Sequence, residues 1–435
     1  MPVDLETQHV FFIGAPGAGK TVFLNNVIDQ TFNRKNRSII YDFKGDFVSS
    51  FYRPEKDFLF NPIDQRCVGW NLFNEIKTDY DIEAISCSLI PEGKGDTIFW
   101  NTAARNVFIS VLKVLIKREK KTHMDLWRTL TMPLNELADY IFHEEGYTYI
   151  QDPQSRQAAS VVSVLMQYAR CFYYMQHVDG DFSVKKWFEQ TQNDSSIFIT
   201  NYADIRDTLS PILTLFIDLY SRKMLSMPDD PDRRVFFFLD EFGTLKRLNS
   251  ILNLLTLGRS KGASVFIGIQ DTGQIEELYG RELRKTIINA CGTSLIYRVS
   301  DPETARYLSE KIGEKSVMES RESHTMGSED GRDGLTISRQ ERTSPLVLPS
   351  ELQNMPNLQA YLKFAGYPST LVNFEYTSYR AIQERFDPRP SSLLENRPKD
   401  PARSDQEATK EESLSPEKEA EPIIKDEFLI KSLMD

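Results

Sequence analysis

The amino-acid sequence predicts an α/β fold built around a mainly parallel sheet. Six short apolar runs are typical of strands, and helical patterns follow several of them. Most of the runs are almost continuously apolar, as expected for parallel strands that are buried on both faces. The predicted strands are Val10–Ile13, Ser38–Tyr41, Ser196–Thr200, Val235–Leu239, Ser264–Ile269 and Ser294–Val299.

A long helical stretch interrupts this alternation. Strand signals stop between the second and third predicted strands, where Phe108, Leu112 and Leu115 fall on one face of a predicted helix. We therefore predict an all-α domain inserted into the α/β domain. The predicted boundaries are 1–78 and 191–386 for the two parts of the α/β domain and 79–190 for the insertion.

Two segments have the composition of poorly ordered chain. Residues Glu319–Arg342 are polar and contain three glycines among charges, which predicts a flexible loop. Residues 387–435 are rich in Pro, Ser, Glu and Lys, which predicts a disordered acidic tail. Apolar residues between Ile423 and Met434 suggest a short terminal amphipathic segment that docks either on a partner or on its own domain.

Composition narrows the class of protein. The 435 residues carry a net charge of −11, so any nucleic-acid contact must use a local basic patch and not the overall charge. The four cysteines are widely spaced, which excludes a disulfide framework or a zinc knuckle. No apolar run reaches 18 residues and the first residues do not resemble a signal peptide, so we expect a soluble chain without a membrane span.

The strongest motif is a phosphate-binding loop. The sequence from Gly14 to Thr21 fits G-x-x-x-x-G-K-[ST], with an apolar strand before it and an apolar-periodic helix after it. Glycines allow the backbone to wrap closely around a phosphate, and the helix N-terminus adds a positive dipole. Lys20 is expected to reach the β- and γ-phosphates, and Thr21 to bind Mg²⁺. The predicted nucleotide-binding residues are Gly14, Ala15, Pro16, Gly17, Ala18, Gly19, Lys20, Thr21 and Asp240.

A second motif supplies carboxylates. The apolar strand Val235–Leu239 ends in Asp240 and Glu241, which is the pattern of a Walker B strand. Asp240 is expected to hold Mg²⁺ with Thr21, and Glu241 to act as the general base on the attacking water. A plain junction between a strand and a turn has the same pattern, so the assignment depends on the phosphate loop that precedes it.

Two further residues are candidates for hydrolysis. Gln270 follows the next strand, which in ATPases with a glutamate base usually lies between the Walker B strand and the phosphate-loop strand. Gln270 would then face the γ-phosphate, although a polar strand cap remains an alternative. Arg259 could act on a neighbouring subunit's nucleotide as an arginine finger, or be an ordinary surface residue. Weaker rivals for that role are Arg281, Arg284 and Arg298.

Several segments resemble the TraD/TraG-type coupling proteins of conjugative type IV secretion, and TraD-like members above all. The most specific matches are Asn61-Pro-Ile-Asp and Leu348-Pro-Ser-Glu. The further matching segments are Tyr41–Phe47, Trp70–Phe73, Phe99–Trp100, Asp240–Phe242, Gly268–Gln270 and Asp333–Arg339.

The resemblance implies a RecA-like P-loop nucleotide-binding domain with an inserted all-α domain, ATP and Mg²⁺ as cofactors, and a hexamer at the cytoplasmic face of the inner membrane. Lys20, Thr21, Asp240, Glu241 and Gln270 match the family's motif positions. Expected partners are single-stranded DNA or a relaxase–DNA complex, the secretion channel, and an accessory or adaptor protein bound by the acidic tail. Family members normally carry two N-terminal transmembrane helices, which this sequence lacks, so the resemblance implies either their removal or a soluble member.

The sequence offers two basic clusters for DNA contact. Lys113, Lys117, Lys120 and Lys121 are predicted to share one helical face, and a second cluster spans 33–37. Solvated helix faces have the same pattern. Two functions therefore stay open: an ATP-driven motor that translocates DNA or protein, and a nucleotide-gated recruitment platform with little motor activity.

Overall fold

Nine strands form one sheet, and seven of them are parallel strands that include those carrying the site described below. The computed structural model describes residues 3–189, 194–325 and 334–390, and residues 1–388 form one compact unit. Two further strands form a separate hairpin. The strands are β1 Val10–Ile13, β2 Arg37–Asp42, β3 Phe58–Phe60, β4 Ser196–Thr200, β5 Val235–Leu239, β6 Ala263–Ile269, β7 Thr293–Ile296, β8 Glu314–Thr325, β9 Gly334–Pro345, β10 Gln359–Phe364 and β11 Thr370–Asn373.

The order of the sheet is β11-β10-β7-β1-β6-β5-β2-β4-β3. All neighbours from β7 to β3 pair in parallel, and β10 and β11 extend the sheet in antiparallel pairing. The prediction of an α/β fold with a mainly parallel sheet is therefore confirmed. β6 lies between β1 and β5, which confirms the predicted position of the strand that follows Walker B.

All six predicted strands are present, with one shorter end. The strand predicted to reach Val299 stops at Ile296, because the backbone at Arg298 turns to bond the loop after β1. The predictions missed β3, β10 and β11. β3 has only three residues, β10 is mostly half-buried and β11 is mostly exposed at one edge of the sheet, so none shows a long apolar run.

The loop predicted over Glu319–Arg342 is wrong in its described parts. β8 and β9 pair in antiparallel register from Glu314–Pro345 to Thr325–Gly334. Polar residues dominate both strands, and the side chains described there are mostly exposed. Because a hairpin with two solvated faces needs no apolar alternation, its sequence resembles that of a loop.

Sixteen helices accompany these strands in the described residues. They are α1 Lys20–Asn33, α2 Asp46–Phe51, α3 Asp79–Leu89, α4 Thr97–Lys117, α5 His123–Leu130, α6 Leu134–Tyr140, α7 Tyr147–Ile150, α8 Arg156–Ala169, α9 Phe172–Met175, α10 Val184–Glu189, α11 Arg206–Leu225, α12 Ile251–Leu257, α13 Thr272–Tyr279, α14 Arg281–Ala290, α15 Pro302–Ile312 and α16 Pro349–Gln353.

Between β3 and β4 the described chain forms eight of these helices, α3 to α10, and no named strand. Phe108, Leu112 and Leu115 of α4 are fully buried, as the helical pattern predicts. The helices share one continuous apolar core with α11 and one face of the sheet. Because this core is not interrupted between the helices and the sheet, it marks no boundary for an inserted domain. The boundaries 79–190 stay a prediction.

The two faces of the sheet bury different cores. Along β5, Val235, Phe237 and Leu239 face the core shared with the inserted helices, whereas Phe236 and Phe238 face the core under α1 and α2. This alternation explains the continuous apolar run, since both faces of the strand are covered. The acidic tail predicted from residue 387, including its terminal amphipathic segment, lies almost entirely outside the described residues.

Candidate nucleotide-binding site

The carboxyl ends of β1, β5 and β6 meet at one edge of the sheet. Ile13 pairs with Ile269, and Leu239 pairs with Ile267. Each strand therefore delivers its next residues to the same place, where ligands bind in open α/β sheets. The phosphate loop follows β1, Asp240 and Glu241 follow β5, and Gln270 follows β6.

The phosphate loop joins β1 directly to α1. Gly17 and Gly19 have φ angles of 76° and 118°, a left-handed region that residues with a Cβ atom rarely adopt. α1 begins at Lys20, so the first N–H groups of a 14-residue helix have no partner within the helix. This N-terminus and its dipole suit an anion.

Neighbouring segments fix the loop. The N–H of Gly14 donates to the carbonyl of Ile269 at 3.2 Å, and the N–H of Ala15 donates to that of Arg298 at 2.7 Å. A Cβ atom on Gly14 would lie 2.6 Å from Cβ of Tyr297, so glycine is required there for space. The loop is therefore bound on one side by β6 and on the other by the end of β7.

Lys20 is buried without an ion-pair partner in the described part of the chain. Its ammonium donates to the carbonyl oxygens of Gly14 and, at 3.3 Å, of Ala15. Burial lowers the pKa of Lys20, an effect that the nearby carboxylates of Asp240 and Glu241 oppose. A buried cation that pairs only with backbone carbonyls is costly, and an anionic ligand would compensate it.

Asp240 is a carboxylate that lacks an ion pair within the described residues, as Lys20 is a buried cation that lacks one there. It lies beside Gly268, where an added Cβ would be 3.2 Å from Oδ1. Burial and the Glu241 carboxylate raise the pKa of Asp240 to about 6, although Lys20 and Lys44 act in the opposite direction. A divalent cation would relieve both causes of this shift. With the Thr21 hydroxyl on α1, the donor set fits Mg²⁺ beside a polyphosphate.

Glu241 adopts a left-handed backbone conformation, with φ 53° and ψ 49°. The Thr244 hydroxyl donates to the Glu241 carbonyl at 2.8 Å and bonds the Tyr41 hydroxyl at 2.8 Å. The Glu241 carboxylate pairs with Lys44, with 3.2 Å between Oε1 of Glu241 and Nζ of Lys44. The residue thus stands at the edge of the sheet in a constrained conformation, as functional residues often do.

The end of β2 contributes residues to which the sequence analysis gave no role. Asp42 is buried, accepts hydrogen bonds from the N–H groups of Asp46 and Val48, and has its pKa raised to about 7, first by burial and also by Asp240. Lys44 pairs with Glu241. The only available signal was the match of 41–47 to the coupling-protein pattern, which assigns no chemistry to these residues.

Gln270 follows β6 at the same edge as the phosphate loop. The N–H of Gly14 donates to the carbonyl of Ile269, the residue immediately before Gln270, and the N–H of Gln270 donates to the side-chain oxygen of Gln274 at 3.2 Å. Gln270 is therefore next to the phosphate loop in the backbone pairing. Its role in sensing the γ-phosphate stays a prediction.

Arg259 lies elsewhere. It belongs to a short 3₁₀ helix, Gly258–Lys261, that precedes β6, so it stands at the amino edge of the sheet. Seven strand residues, about 20 Å, separate that edge from the phosphate loop of the same chain. This separation places Arg259 out of reach of the phosphate loop of its own chain, and its role as an arginine finger stays a prediction. Among its rivals, Arg284 is buried, pairs with Glu276 and stacks on Tyr307, which is a structural role.

The basic clusters differ from their predicted arrangement. α4 ends at Lys117 because Glu119 turns into the left-handed region, so Lys120 and Lys121 do not share a helical face with Lys113. Lys117 pairs with Glu144. In the 33–37 cluster, Arg34 pairs with Glu6 and Arg37 bonds the carbonyls of Trp187 and Phe188. Lys117 and Arg34 are therefore already paired with carboxylates, and Arg37 is engaged by backbone carbonyls.

We predict that Mg²⁺-dependent nucleotide binding weakens below pH 6. Mg²⁺ binds the deprotonated Asp240 carboxylate, so protons compete with the metal, and the affinity should fall by about tenfold per pH unit below the pKa and level off above about pH 7. Calorimetric titration with ADP between pH 5 and 8 measures this slope. The same titration in EDTA subtracts protonation of the nucleotide, and Asp240→Asn should remove the remaining slope. A slope that is equal in Asp240→Asn would contradict the prediction.

Comparison with known proteins agrees with this geometry. The type IV secretion-system coupling protein DNA-binding domain matches residues 1–375. The chain belongs to this coupling-protein family. The coupling protein TraD of Escherichia coli K12 is 27% identical over 403 residues, which cover 91% of this chain and 56% of TraD. Protein VirD4 of Agrobacterium fabrum is 22% identical over 431 residues, covering 89% and 62%. The chain thus spans a little over half the length of these relatives.

Solved structures of the coupling protein TrwB have the same fold. The unbound TrwBdeltaN70 structure superposes with a TM-score of 0.79 at 30% identity and covers 89% of each chain. TrwB in complex with the ATP analogue ADPNP has a TM-score of 0.78 at 29% identity, with 90% of each chain covered. TrwB has also been solved with ADP and Mg²⁺. The RecA-like P-loop fold implied by the sequence resemblance is therefore confirmed. Among the residues that the structure describes, no helix combines the length and apolar character needed to cross a bilayer.

Proposed function

We propose that this chain binds ATP and Mg²⁺ and hydrolyses ATP as the nucleotide-binding part of a coupling protein. The observation that carries the proposal is the pair of unneutralised groups: a buried Lys20 ammonium and an Asp240 carboxylate with a raised pKa, next to a glycine loop and a helix N-terminus. A Mg²⁺–triphosphate would satisfy both. The ADPNP and ADP–Mg²⁺ complexes of TrwB support the same ligands here.

In this proposal each residue has one task. The phosphate loop, Gly14–Thr21, binds the phosphates and Lys20 neutralises their charge. Thr21 and Asp240 hold Mg²⁺, which when bound polarises the phosphoryl oxygens. Glu241 accepts the proton of the attacking water, and Gln270 faces the γ-phosphate.

The cargo is single-stranded DNA, with or without an attached relaxase, or a protein substrate delivered to a type IV secretion channel at the inner membrane. The match to a DNA-binding domain of coupling proteins supports this proposal. A homo-hexamer would give Arg259 its target, because that residue stands at the amino edge of the sheet and only a second chain could offer it a nucleotide. We also propose that the acidic tail recruits an accessory or adaptor protein.

The alternative is a nucleotide-gated platform that recruits substrates with little motor activity. A platform needs the nucleotide but no general base, whereas Glu241 occupies a strained and well-supported position beside the phosphate site. This observation favours the motor.

Turnover at different protein concentrations distinguishes the two. We expect the ATPase rate per chain to rise with protein concentration and with added single-stranded DNA, because a site completed by Arg259 of another chain requires assembly. Arg259→Ala should remove this dependence, while Arg281→Ala serves as the matched control. A rate per chain that is independent of both concentration and DNA would contradict the motor and favour the platform.

A further inference from the structure

The exposed residue Lys44 forms an ion pair with Glu241, the proposed general base. Lys44 Nζ lies 3.2 Å from Oε1 of Glu241, and the two side chains differ in accessibility, at 57% for Lys44 and 12% for Glu241. Partial burial acts against the charged ammonium and is the largest single effect on it, but the carboxylates of Glu241, Asp240 and Asp46 together outweigh it, and the pKa of Lys44 is raised. The pair therefore joins a shielded carboxylate to a cation that solvent and large ligands can reach.

The turn that carries Lys44 is rigid. The Asp42 carboxylate accepts hydrogen bonds from the N–H of Asp46 at 3.1 Å and of Val48 at 2.8 Å, which closes the turn on both sides of Lys44. Gly45 has a φ of 76°, and a Cβ there would lie 2.6 Å from the carbonyl oxygen of Arg385. Lys44 is therefore aimed at Glu241 by a backbone that has little freedom to move.

The backbone of Glu241 is fixed as well. Its left-handed conformation is held by the bonds from Thr244, which in turn bonds Tyr41 at the end of β2. With both backbones constrained, the flexible side chain of Lys44 is the part that can leave. While the pair exists, one carboxylate oxygen of Glu241 is occupied by the Lys44 ammonium and is not available to the attacking water.

We propose that Lys44 is a positioning residue that restrains Glu241 until a phosphate of a nucleic-acid strand takes the Lys44 ammonium. The proposal rests on the proposed function, because it regulates hydrolysis at that site. Removing the ammonium leaves Glu241 free to accept a proton. Hydrolysis would then depend on the presence of the strand.

The charge and exposure of Lys44 favour a nucleic-acid phosphate, and not the nucleotide's own phosphates, as the ligand that takes its ammonium. Lys20 already serves the nucleotide from the buried side, whereas more than half of the Lys44 side chain faces outward. Two other exposed cations lie at the same edge: Arg385, which pairs with Asp46, and Arg206 at the start of α11. Exposed ion pairs of this kind are weak and screened by salt, so a polyanion can compete for them.

Replacement of Lys44 tests the restraint. With Mg·ATP and no DNA, Lys44→Met should raise the ATPase rate by up to about fivefold, the factor by which a weak, exposed ion pair favours its closed state. At protein concentrations where assembly no longer limits the rate per chain, a poly-dT strand should then stimulate it no further, and Lys44→Arg should restore both the low rate and the stimulation. Lys56→Met is the matched control, because Lys56 forms a similarly exposed pair with Asp194 at 3.1 Å, away from the site.

Lower or unchanged turnover in Lys44→Met, with wild-type activity present, would overturn the proposal. A second measurement does not need hydrolysis. NMR of ¹³C-dimethylated lysines, recorded with Mg²⁺ and ADPNP, follows the Lys44 signal and its pKa. The signal is assigned by its loss in Lys44→Arg. The Lys44 pKa should fall in Glu241→Gln, and poly-dT should shift the wild-type signal. Absence of both changes would overturn the restraint by itself. A wild-type chain that shows both changes and hydrolyses no ATP under any condition would instead contradict the proposed function.

Discussion

Glu241→Gln should stop ATP hydrolysis and leave nucleotide binding intact. Glutamine has nearly the same shape but cannot accept a proton, so kcat should fall by about 10²- to 10⁴-fold, the usual contribution of a general base. The Kd for Mg·ATP should change by less than about threefold, because Lys20, Thr21 and Asp240 are unchanged. Single-turnover kinetics and equilibrium binding give these two quantities separately.

The exposed carboxylate Asp207 at the start of α11 offers a control for this variant. It is exposed, and its one ion pair within residues 3–189, 194–325 and 334–390 is with Arg206 at 3.5 Å, so Asp207→Asn should hydrolyse ATP at the wild-type rate. If Glu241→Gln also turned over normally, Glu241 would not be the base. Equal loss of binding and turnover would indicate instead that Glu241 supports the metal site.

Lys20→Ala has the second large expected effect, on binding itself. Removing a buried cation that faces phosphates costs roughly 2–5 kcal/mol, so the affinity for Mg·ATP should fall by about 30-fold or more. The free chain should lose no stability, because the hydrogen bonds of the Lys20 ammonium to described residues go only to the carbonyls of Gly14 and Ala15. Calorimetry with ATP and thermal unfolding without it measure the two effects.

A lysine near the far end of the same helix makes the comparison specific. Lys35 is exposed and follows α1 at its C-terminal end, so Lys35→Ala should bind nucleotide like the wild type. Unchanged affinity in Lys20→Ala would contradict the assignment of the phosphate loop. A marked loss of thermal stability in Lys20→Ala would show that the lysine has a structural role and weaken the argument from its burial.

The central part of this fold is readable from sequence for a physical reason. β1, β5 and β6 are buried on both faces, so their sequences are almost continuously apolar. The residue that follows each strand lies at the same edge of the sheet. The glycine pattern of the phosphate loop follows from left-handed φ angles and close packing against Tyr297. Local sequence therefore determines these features.

Features that depend on distant contacts could not be predicted in the same way. β10 gains its place by pairing with β7, about 65 residues earlier, and its side chains are mostly half-exposed. The contact between Lys44 and Glu241 joins two turns that become neighbours only because β2 lies next to β5. The end of α4 depends on the left-handed residue Glu119, which is neither glycine nor asparagine and gives no signal.

Arg259 illustrates a prediction whose test lies outside a single chain. Sequence suggested an arginine that acts on a neighbour, and the fold places it about 20 Å from its own phosphate loop. That separation excludes action within one chain and is compatible with action between chains. Mixing Arg259→Ala with Lys20→Ala chains would reveal shared sites, because each variant supplies what the other lacks.

The most direct measurement is a crystal structure of this chain with ADPNP and Mg²⁺. The triphosphate should lie on the backbone of Gly14–Thr21 with Lys20 at the γ-phosphate, and the metal should bind oxygens of Thr21 or of Asp240, directly or through its waters, at about 2.1 Å for direct ligands. Glu241 should face the γ-phosphate from the end of β5. A nucleotide bound elsewhere, or a metal with neither residue in its coordination sphere, would contradict the proposed site.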